Sequence, residues 1–532
     1  MLLFLWQIFV TMEKKLQKLP IGIQEFEKLR TGGYAYVDKT ELIYNLIEQG
    51  CYYFLSRPRR FGKSLLMSTI RAVFEGKREL FDGLAIAQKD DIDWAAYPIM
   101  HLDLNTGKYD NKEALDAKLD DSLEAWEEQF ATVRNDLPLG IRFEKVIDAA
   151  YRQTGRRVVI LVDEYDKPML QAIGNKALQD EFRSTLKGFY GALKSMDGCI
   201  KFALLTGVTK FSKVSVFSDL NNLEDISMDR TYCGICGISE EELLRDFSPY
   251  IDALAAENDM TREACIERLR RMYDGYHFHP KSVGMYNPFS VLNALKTREF
   301  GSYWFETGTP SYLVELLQRH DYNLDSMSNA DVTADVLNSI DAESKDPIPV
   351  IYQSGYLTIK GYDERFKEYR LGFPNEEVED GFIRYLAPFY LSKTRDRTVF
   401  DIRKFDNDVE TGQPEQFCKR LKTLFADTPY ELVKNLENHY QNIVWVVFKL
   451  LGFYTQAEYH TSEGRIDLII ATQDFRYVME FKLNGTAEEA LEQIKSKHYA
   501  IPFAIDEKKT FLIGMNFVDE TRNIERYVIE EI

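Results

Sequence analysis

Two acidic residues and a lysine near the C-terminal end of the chain have the spacing of a metal-binding hairpin. Asp467 lies in one stretch, and Glu480 and Lys482 lie in another; both stretches alternate apolar and polar residues, as strands do. The short polar link at residues 472–475 predicts that the two strands form an antiparallel hairpin. A turn centred in the middle of this link sets Asp467 directly opposite Glu480.

The same register sorts the hairpin side chains onto two faces. On one face the Cβ atoms of Asp467 and Glu480 would stand about 4.5–5.5 Å apart, with Lys482 beside them. Facing carboxylates repel unless a cation binds between them. We therefore expect both acids to hold Mg²⁺ or Mn²⁺ that activates water, while Lys482 positions that water or neutralises developing charge. An exposed face with ordinary surface charges is the alternative. The other face receives three apolar pairs: Ile466 with Phe481, Leu468 with Met479, and Ile470 with Tyr477.

A basic loop in the N-terminal half has the form of a phosphate-binding loop. Residues 52–55 predict a short buried strand, the loop follows at 56–62, and helical spacing begins at Lys63 and Ser64. In such a loop backbone N–H groups cradle phosphates, the lysine reaches the β- and γ-phosphates, and the serine hydroxyl helps to hold Mg²⁺. The generic pattern has glycine where Arg57 stands, so a basic surface loop is the alternative.

Two further strands end in residues suited to nucleotide hydrolysis, and residues 98–102 predict another strand. Five aliphatic residues at 158–162 predict a strand buried on both faces, and Asp163 and Glu164 follow at its C-terminal end, where α/β folds place ligands. Asp163 would hold the Mg²⁺ shell, and Glu164 would orient or deprotonate the attacking water. The strand at 202–205 ends in Thr206, which could sense the γ-phosphate. The predicted nucleotide-binding residues are therefore Arg59, Arg60, Phe61, Gly62, Lys63, Ser64, Asp163 and Thr206.

The N-terminal motifs together resemble those of the AAA-ATPase-like family of bacterial P-loop proteins. That family carries the same glycine-poor loop, so Arg57 does not depart from the family pattern. The resemblance covers roughly residues 15–320 and implies that ATP is bound and slowly hydrolysed. The matching segments lie, in order, at residues 36–40, 56–64, 163–168, 217–223, 273–276, 286–290 and 304–310.

The C-terminal hairpin resembles the active site of the PD-(D/E)xK nuclease superfamily, over roughly residues 425–530. The first acid of that superfamily maps to Asp467, and its E-x-K motif maps to residues 480–482. The helix after the hairpin carries Gln493, which matches a glutamine that many members keep near the metal. Upstream, Glu437 resembles the helix-borne acid of the superfamily, or it is a first-turn residue that suits the helix dipole. The resemblance implies metal-dependent phosphodiester cleavage.

The length of 532 residues predicts several domains within an α/β fold. We expect a P-loop core with a parallel sheet, a helical lid, an α+β linker that is either a winged-helix module or a spacer, and an α/β nuclease-like domain. Met12 is the expected natural start. Residues 321–346 should be loop-like or weakly helical, a hairpin should form within 356–371, and 394–416 should be a polar domain boundary. The expected domains are 1–14 (an N-terminal extension), 15–225 (core), 226–320 (lid), 321–424 (linker) and 425–532 (nuclease-like domain).

Charge and composition limit the partners of the protein. The formal net charge of −19 argues against a uniformly basic nucleic-acid-binding surface and against membrane binding, but it allows a local basic channel. The 6 cysteines are too few for a disulfide scaffold, which favours a cytoplasmic protein. Cys233 and Cys236 are expected to be ordinary thiols, and a zinc site completed by His277 and His279 is the less favoured alternative.

The leading hypothesis is an ATP-binding P-loop ATPase coupled to a Mg²⁺-dependent nuclease, with ATP gating the nuclease. Its expected partners are ATP, nucleic acid (DNA rather than RNA) and a further copy of the chain in a homo-oligomer. The alternative is a nucleotide-dependent switch whose C-terminal domain only binds partners or nucleic acid. Four arginines are equal candidates for a cation that contacts the γ-phosphate from the lid or from a neighbouring copy: Arg230, Arg268, Arg270 and Arg271.

Overall fold

The chain divides into two compact units, one comprising Met1–Thr307 and Ala330–Glu377, and the other Gly308–Asn329 and Val378–Ile532. The computed structural model describes residues 16–134, 136–210, 222–305, 313–314, 316–317, 322–324, 327, 330–337, 346–390, 395–426, 436–452, 456–462, 465–497, 508–518, 520–521 and 523–532. Of these, only the backbone is described at residues 395–401, 436–441, 456–462 and 465–467. The expected N-terminal extension, residues 1–14, therefore lies wholly outside the described residues.

A five-stranded parallel sheet of order β2-β3-β4-β1-β5 forms the core of the first unit. Every residue of β3 is buried, as its continuous aliphatic run predicts for an interior parallel strand. The four strands predicted in this region are confirmed. The strands are β1 (Tyr52–Ser56), β2 (Ile99–Asp103), β3 (Val158–Asp163), β4 (Ile200–Gly207) and β5 (Glu224–Asp225).

Helices connect the first four strands, because parallel neighbours require crossover connections. The helix α3 begins directly after the loop that follows β1, which is the predicted order of strand, loop and helix. Short 3₁₀ turns lie at Arg78–Phe81, Ala85–Gln88 and Asp197–Cys199. The helices of this region are α1 (Phe26–Thr31), α2 (Thr40–Gln49), α3 (Lys63–Phe74), α4 (Lys112–Gln129), α5 (Leu139–Thr154), α6 (Lys167–Gln171), α7 (Lys176–Tyr190) and α8 (Ala192–Ser195).

The segment after β5 is mainly helical. Ser239 and Glu242 form a capping box that starts its first helix, α9. Leu243, Phe247 and Ile251 are buried in one apolar cluster with residues of the later helices, as their helical spacing predicts. The elements are β6 (Ile238–Ser239), α9 (Glu240–Asp246), α10 (Ser248–Glu257), α11 (Arg262–Tyr273), β7 (Met285–Tyr286) and α12 (Pro288–Thr297).

A small antiparallel sheet of order β8-β10-β9 completes the first unit. The predicted hairpin within 356–371 is confirmed, because β9 pairs with β10. The expectation of loop or weak helix for 321–346 is wrong at β8, where Ala330 and Val332 alternate into buried positions and the strand pairs with β10. The elements are β8 (Ala330–Thr333), α13 (Ala334–Leu337), α14 (Ile348–Gln353), β9 (Thr358–Asp363) and β10 (Glu368–Gly372).

The second unit is built on a mixed sheet of order β11-β12-β13-β14-β15. The strands β13 and β14 are parallel, and the other neighbouring strands are antiparallel. The register of the β12–β13 hairpin is the predicted one, with Asp467 opposite Glu480 and Leu468 opposite Met479. The strands are β11 (Gln456–Ser462), β12 (Arg465–Ala471), β13 (Phe475–Leu483), β14 (Lys509–Val518) and β15 (Asn523–Glu531).

The stretch at 394–416, which is expected to be a polar domain boundary, is largely helical in its described residues. Ile402, Phe405 and Val409 lie on one face of α16 and are buried, and the Tyr477 hydroxyl donates a hydrogen bond of 2.8 Å to the Val409 carbonyl. The polar residues between them hid this apolar stripe. The helices of the second unit are α15 (Glu376–Tyr390), α16 (Arg395–Glu410), α17 (Pro414–Ala426), α18 (Leu436–Gly452) and α19 (Ala487–Ser496).

Two expectations concern the state of Cys233 and Cys236 and the absence of membrane binding. Cys233 and Cys236 are buried free thiols, and burial raises the pKa of both. Among the described side chains, no three or more His, Cys, Asp or Glu residues are grouped so that they could hold a metal ion. Within the described part of the chain, no helix has the length and apolar character needed to cross a bilayer.

Candidate nucleotide and metal sites

The loop after β1 and the acidic end of β3 meet at one cavity of about 340 Å³. They meet because β1 and β3 are parallel strands of one sheet, so their C-terminal ends lie at the same edge. This edge is where open α/β sheets bind ligands. Six of the residues predicted for nucleotide chemistry line the cavity: Arg59, Arg60, Gly62, Lys63, Ser64 and Glu164.

The conformation of the loop holds Lys63 between the loop and the end of β3. Gly62 has a left-handed backbone with φ +94° and forms the N-cap of α3, a conformation that strains residues with a Cβ. The Nζ of Lys63 donates hydrogen bonds to the carbonyl oxygens of Arg57 at 3.1 Å and Pro58 at 3.4 Å. The same Nζ lies 3.3 Å from Oε1 of Glu164. Incoming phosphate oxygens would compete with these three acceptors.

Asp163 and Thr206 lie at the ends of neighbouring strands and are joined directly. The Thr206 hydroxyl donates a hydrogen bond of 2.6 Å to Oδ1 of Asp163, and both side chains are buried. Neither is among the described residues that line the cavity. The hydrogen bond orients the Asp163 carboxylate, and Ser64 lines the cavity itself, so a hydroxyl and a carboxylate of the kind that bind Mg²⁺ are present in this unit.

Asp166 is a buried carboxylate that the sequence reasoning missed. Its Oδ2 accepts hydrogen bonds from the N–H groups of Val208 at 3.0 Å and Thr209 at 2.6 Å, and from the Thr209 hydroxyl at 2.6 Å. Gly207 allows this approach, because a Cβ there would lie 2.5 Å from Oδ1 of Asp166. Burial, and then the charge of Glu164, raise the pKa of Asp166 to about 6. Asp166 therefore fastens the turn after β3 to the loop after β4.

The raised pKa of Asp166 predicts a specific pH dependence of stability. The folded chain binds this proton more tightly than the unfolded chain, so the contribution of Asp166 to stability is full below pH about 4 and is lost as the pH rises through about 6. The whole change is on the order of 3 kcal/mol. We expect the urea-unfolding free energy of the wild type, relative to Asp166→Asn, to fall between pH 4.5 and 7.5. A difference that stays constant with pH would contradict this assignment.

Arg57, which stands at the generic glycine position, ties the loop to the segment after β5. Its guanidinium donates hydrogen bonds to the carbonyl oxygens of Ser227 at 2.7 Å and Tyr232 at 3.2 Å. The same group lies 4.0 Å from the ring centre of Phe278. Arg57 is buried and is not among the described residues lining the cavity, so its role is to support the loop.

Phe61 and the four arginines proposed as γ-phosphate contacts lie elsewhere. Phe61 is buried, with its ring 4.7 Å from that of Tyr276. Arg230 is exposed, and none of the four arginines is among the described residues that line the cavity. The other three have partners of their own: Arg268 lies 4.2 Å from the Phe300 ring centre, Arg270 pairs with Glu240 at 2.8 Å, and Arg271 pairs with Glu376 at 3.3 Å.

The sequence reasoning also missed the apolar side of the cavity. Residues 20–24 line it, together with Pro288, Phe289 and Leu292 at the start of α12. The guanidinium of Arg60 lies 5.0 Å from the ring centre of Phe289. Pro288 and Phe289 lie in the segment 286–290, which was matched to the family but given no role in the site. They lie far from residues 20–24 in sequence, so only the fold brings the two groups to the loop.

Glu480, Lys482 and Gln493 form one hydrogen-bonded group in the second unit. The Nε2 of Gln493 donates to Oε1 of Glu480, and the Nζ of Lys482 donates to Oε1 of Gln493. The Lys482 Nζ also lies 4.0 Å from Oε1 of Glu480. Glu480 is fully buried, whereas Lys482 is 22% exposed. Gln493 thus orients both the acid and the lysine, as a preorganised site requires.

The other acids proposed for this site are described only through their backbones. Asp467 is paired with Glu480 in the β12–β13 register, and Glu437 lies in α18. The side chains of both residues lie outside the described part of the chain. The Glu480 carboxylate is a hard oxygen ligand of the kind that suits Mg²⁺ or Mn²⁺, and the backbone pairing sets a second acidic residue opposite it. The donor set therefore fits the predicted metal.

The folds and sites define a P-loop ATPase-type unit followed by a nuclease-type unit. The chain matches a family model described as "Predicted AAA-ATPase" over residues 20–217, and a model of the PD-(D/E)XK nuclease superfamily over residues 435–527. It is 35% identical to "Uncharacterized protein in vnfD 5'region" of Azotobacter chroococcum mcd 1, and the alignment covers 97% of this chain and 99% of that protein. The chain belongs to the AAA-ATPase-like family and carries a C-terminal PD-(D/E)XK domain. The two family resemblances drawn from the motifs are confirmed within the matched ranges, which include the segments at 36–40, 56–64 and 163–168. The segments at 273–276, 286–290 and 304–310 lie beyond the first matched range, and residues 217–221 and 306–310 lie outside the described residues.

Proposed function

We propose that the protein binds and hydrolyses ATP in its first unit and cleaves nucleic-acid phosphodiesters in its second, with ATP controlling the cleavage. The observation that carries this proposal is the group formed by Glu480, Lys482 and Gln493, with Asp467 opposite Glu480 in the hairpin register. In this group the fully buried Glu480 carboxylate is linked to Lys482 through Gln493. Burying a carboxylate costs free energy, so such a group is more typical of a functional site than of a hairpin with ordinary surface charges.

The shape and charge of the first cavity support ATP as its ligand. Lys63, Ser64 and Glu164 line this cavity. Lys63 and Ser64 would hold a triphosphate with its Mg²⁺ there. The apolar residues 20–24 and Phe289 offer a surface on which a purine base could pack. A volume of about 340 Å³ is within the range of small-molecule sites. Glu164 would take a proton from the attacking water, or orient it, once the phosphates have displaced its carboxylate from Lys63.

The second site supports hydrolysis of a phosphodiester. Asp467 and Glu480 would hold Mg²⁺, which when bound lowers the pKa of a water molecule and stabilises charge on the phosphate. Lys482 would place the attacking water and stabilise negative charge on the phosphate oxygens. Gln493 would keep Glu480 and Lys482 in fixed orientations through its amide. The substrate that we propose is DNA.

The division of the chain supports control of one unit by the other. The chain passes between the units three times, at 307/308, 329/330 and 377/378. A nucleotide that favours one conformation of the first unit would therefore change the positions of the three points at which the chain enters or leaves that unit. ATP would thereby shift the population of a cleavage-competent state, in a monomer or in a homo-oligomer. We propose that this occurs in the cytoplasm.

The direct test is a cleavage assay on plasmid DNA, branched DNA and RNA, each with Mg²⁺ or Mn²⁺ and with or without ATP. We expect metal-dependent cleavage of at least one DNA substrate. Cleavage of RNA alone would correct the substrate, and absence of cleavage from every substrate under all conditions would overturn the nuclease assignment.

Metal-linked stability separates a nuclease from a nucleotide switch with a non-catalytic C-terminal unit. Without nucleotide, Mn²⁺ at about 100 times its Kd should stabilise the wild type by about 2.7 kcal/mol, measured by thermal unfolding. Glu480→Gln should lose this stabilisation because a metal ligand is removed. The matched control Glu492→Gln, at a 74% exposed position of α19, should retain it. A wild type that Mn²⁺ does not stabilise would favour the switch.

A further inference from the structure

Lys167 is a positively charged side chain of the cavity that lies outside the loop after β1 and has no role in the proposed function described above. Lys167 follows the Glu164–Asp166 turn after β3 and lines the cavity together with Lys63, Ser64 and Glu164. It is partly exposed. Among the described residues, no carboxylate lies within ion-pair distance of its ammonium, whereas Lys63 pairs with Glu164 at 3.3 Å. Lys167 thus brings an uncompensated positive charge to the cavity.

The backbone around Lys167 is held firmly in place. Its N–H donates a hydrogen bond of 3.0 Å to the carbonyl of Glu164, which closes the turn. On one side, Asp166 is fixed by its three hydrogen bonds to the loop after β4. On the other side, Pro168 restricts the chain and is buried. The attachment point of the lysine is therefore fixed relative to Glu164, and only its side chain needs to move to meet a ligand.

We propose that Lys167 binds the γ-phosphate of ATP from within the same chain. This inference rests on the proposed function of the first unit and identifies a residue that supplies charge at the reacting phosphate. P-loop ATPases commonly use an arginine finger for this purpose. Here Arg268, Arg270 and Arg271 are engaged with other partners, and none of these three is among the described residues lining the cavity.

ATP and ADP differ in the phosphate group that Lys167 would contact. ATP places a third phosphate, with additional negative charge, beyond the two that ADP shares with it. A lysine beside Glu164 would contact that third group and would stabilise charge on its oxygens during hydrolysis. Lys63, the first residue of α3, would instead bind phosphates of both nucleotides. Loss of Lys167 should therefore reduce discrimination between ATP and ADP, and loss of Lys63 should weaken the binding of both.

The test compares the affinities of the full-length protein for ADP and for a non-hydrolysable ATP analogue, with Mg²⁺, by calorimetry. In Lys167→Met we expect the analogue to bind about 10- to 100-fold more weakly, the range for one charge-assisted hydrogen bond, with ADP affinity changed by less than about 3-fold. Lys167→Arg should recover most of the loss. The control Lys145→Met, at an exposed position of α5, should match the wild type. Lys167→Gln repeats the test with a polar side chain.

The outcomes separate this inference from the proposed function. If Lys167→Met and Lys167→Gln bind both nucleotides as the wild type does, or lose affinity for both equally, the γ-phosphate role is overturned while ATP binding stands. If the wild type binds neither nucleotide, ATP binding itself is overturned, and the role of Lys167 falls with it.

Discussion

Replacing Glu480 by glutamine should reduce phosphodiester cleavage by about 10³-fold or more. The change removes one charge from the metal site but keeps the size of the side chain, and loss of metal-based stabilisation worth several kcal/mol corresponds to a factor of this size. Because Glu480 is fully buried, glutamine should occupy its place without exposing new surface. The measurement is the initial rate of plasmid cleavage with saturating Mg²⁺ and ATP.

Two controls make this result specific to the metal site. Glu492→Gln makes the same chemical change on α19, next to Gln493 but at an exposed position, and it should cut at the wild-type rate. Nucleotide affinity should be unchanged in Glu480→Gln, because the ATP cavity is lined by residues of the other unit. Wild-type cleavage by Glu480→Gln would refute the assignment of the nuclease site.

Replacing Lys63 by methionine should weaken ATP binding by about 100-fold or more. Two or more charge-assisted contacts to phosphate oxygens are lost, and each is worth about 1.5–3 kcal/mol. Methionine keeps an unbranched side chain and helix propensity at the start of α3. The affinity can be measured with a fluorescent ATP analogue.

The environment of Lys63 calls for a check on folding. Its ammonium satisfies the carbonyl oxygens of Arg57 and Pro58 in the nucleotide-free loop, so the variant loses local stability as well as phosphate contacts. Lys63→Arg keeps the positive charge and should retain part of the affinity if charge is what matters. Binding of ATP by Lys63→Met with wild-type affinity would refute the phosphate-binding loop.

The β12–β13 hairpin was predictable from sequence because the features that determine its register lie within residues close together in the chain. Its alternation has a period of two, and its link is short, so the register follows from the position of the turn. The opposition of Asp467 and Glu480 could therefore be predicted and is observed in the backbone pairing. The strand β3 was predictable for a similar reason, since a continuous aliphatic run is typical of a strand buried on both faces.

Other parts of the sites depend on contacts between distant residues. Asp166 stands in an acidic motif, but its hydrogen bonds to Thr209 span 43 residues and leave no local pattern. Residues 20–24 and Phe289 reach the same cavity only through the fold. The helix α16 escaped prediction because its buried apolar residues among the described side chains, Ile402, Phe405 and Val409, are separated by polar ones, and polarity averaged over the stretch indicates a boundary.

The dependence of cleavage on ATP tests the central claim most directly. The rate of DNA cleavage should be measured for the wild type and for Lys63→Met, each with Mg²⁺, in the presence and absence of ATP. We predict that ATP raises the wild-type rate roughly 5- to 150-fold, the usual range for coupling between two sites, and leaves the rate of Lys63→Met unchanged. A wild type that cuts equally well with and without ATP, or a Lys63→Met variant that responds to ATP as the wild type does, would contradict control of the nuclease by the P-loop unit.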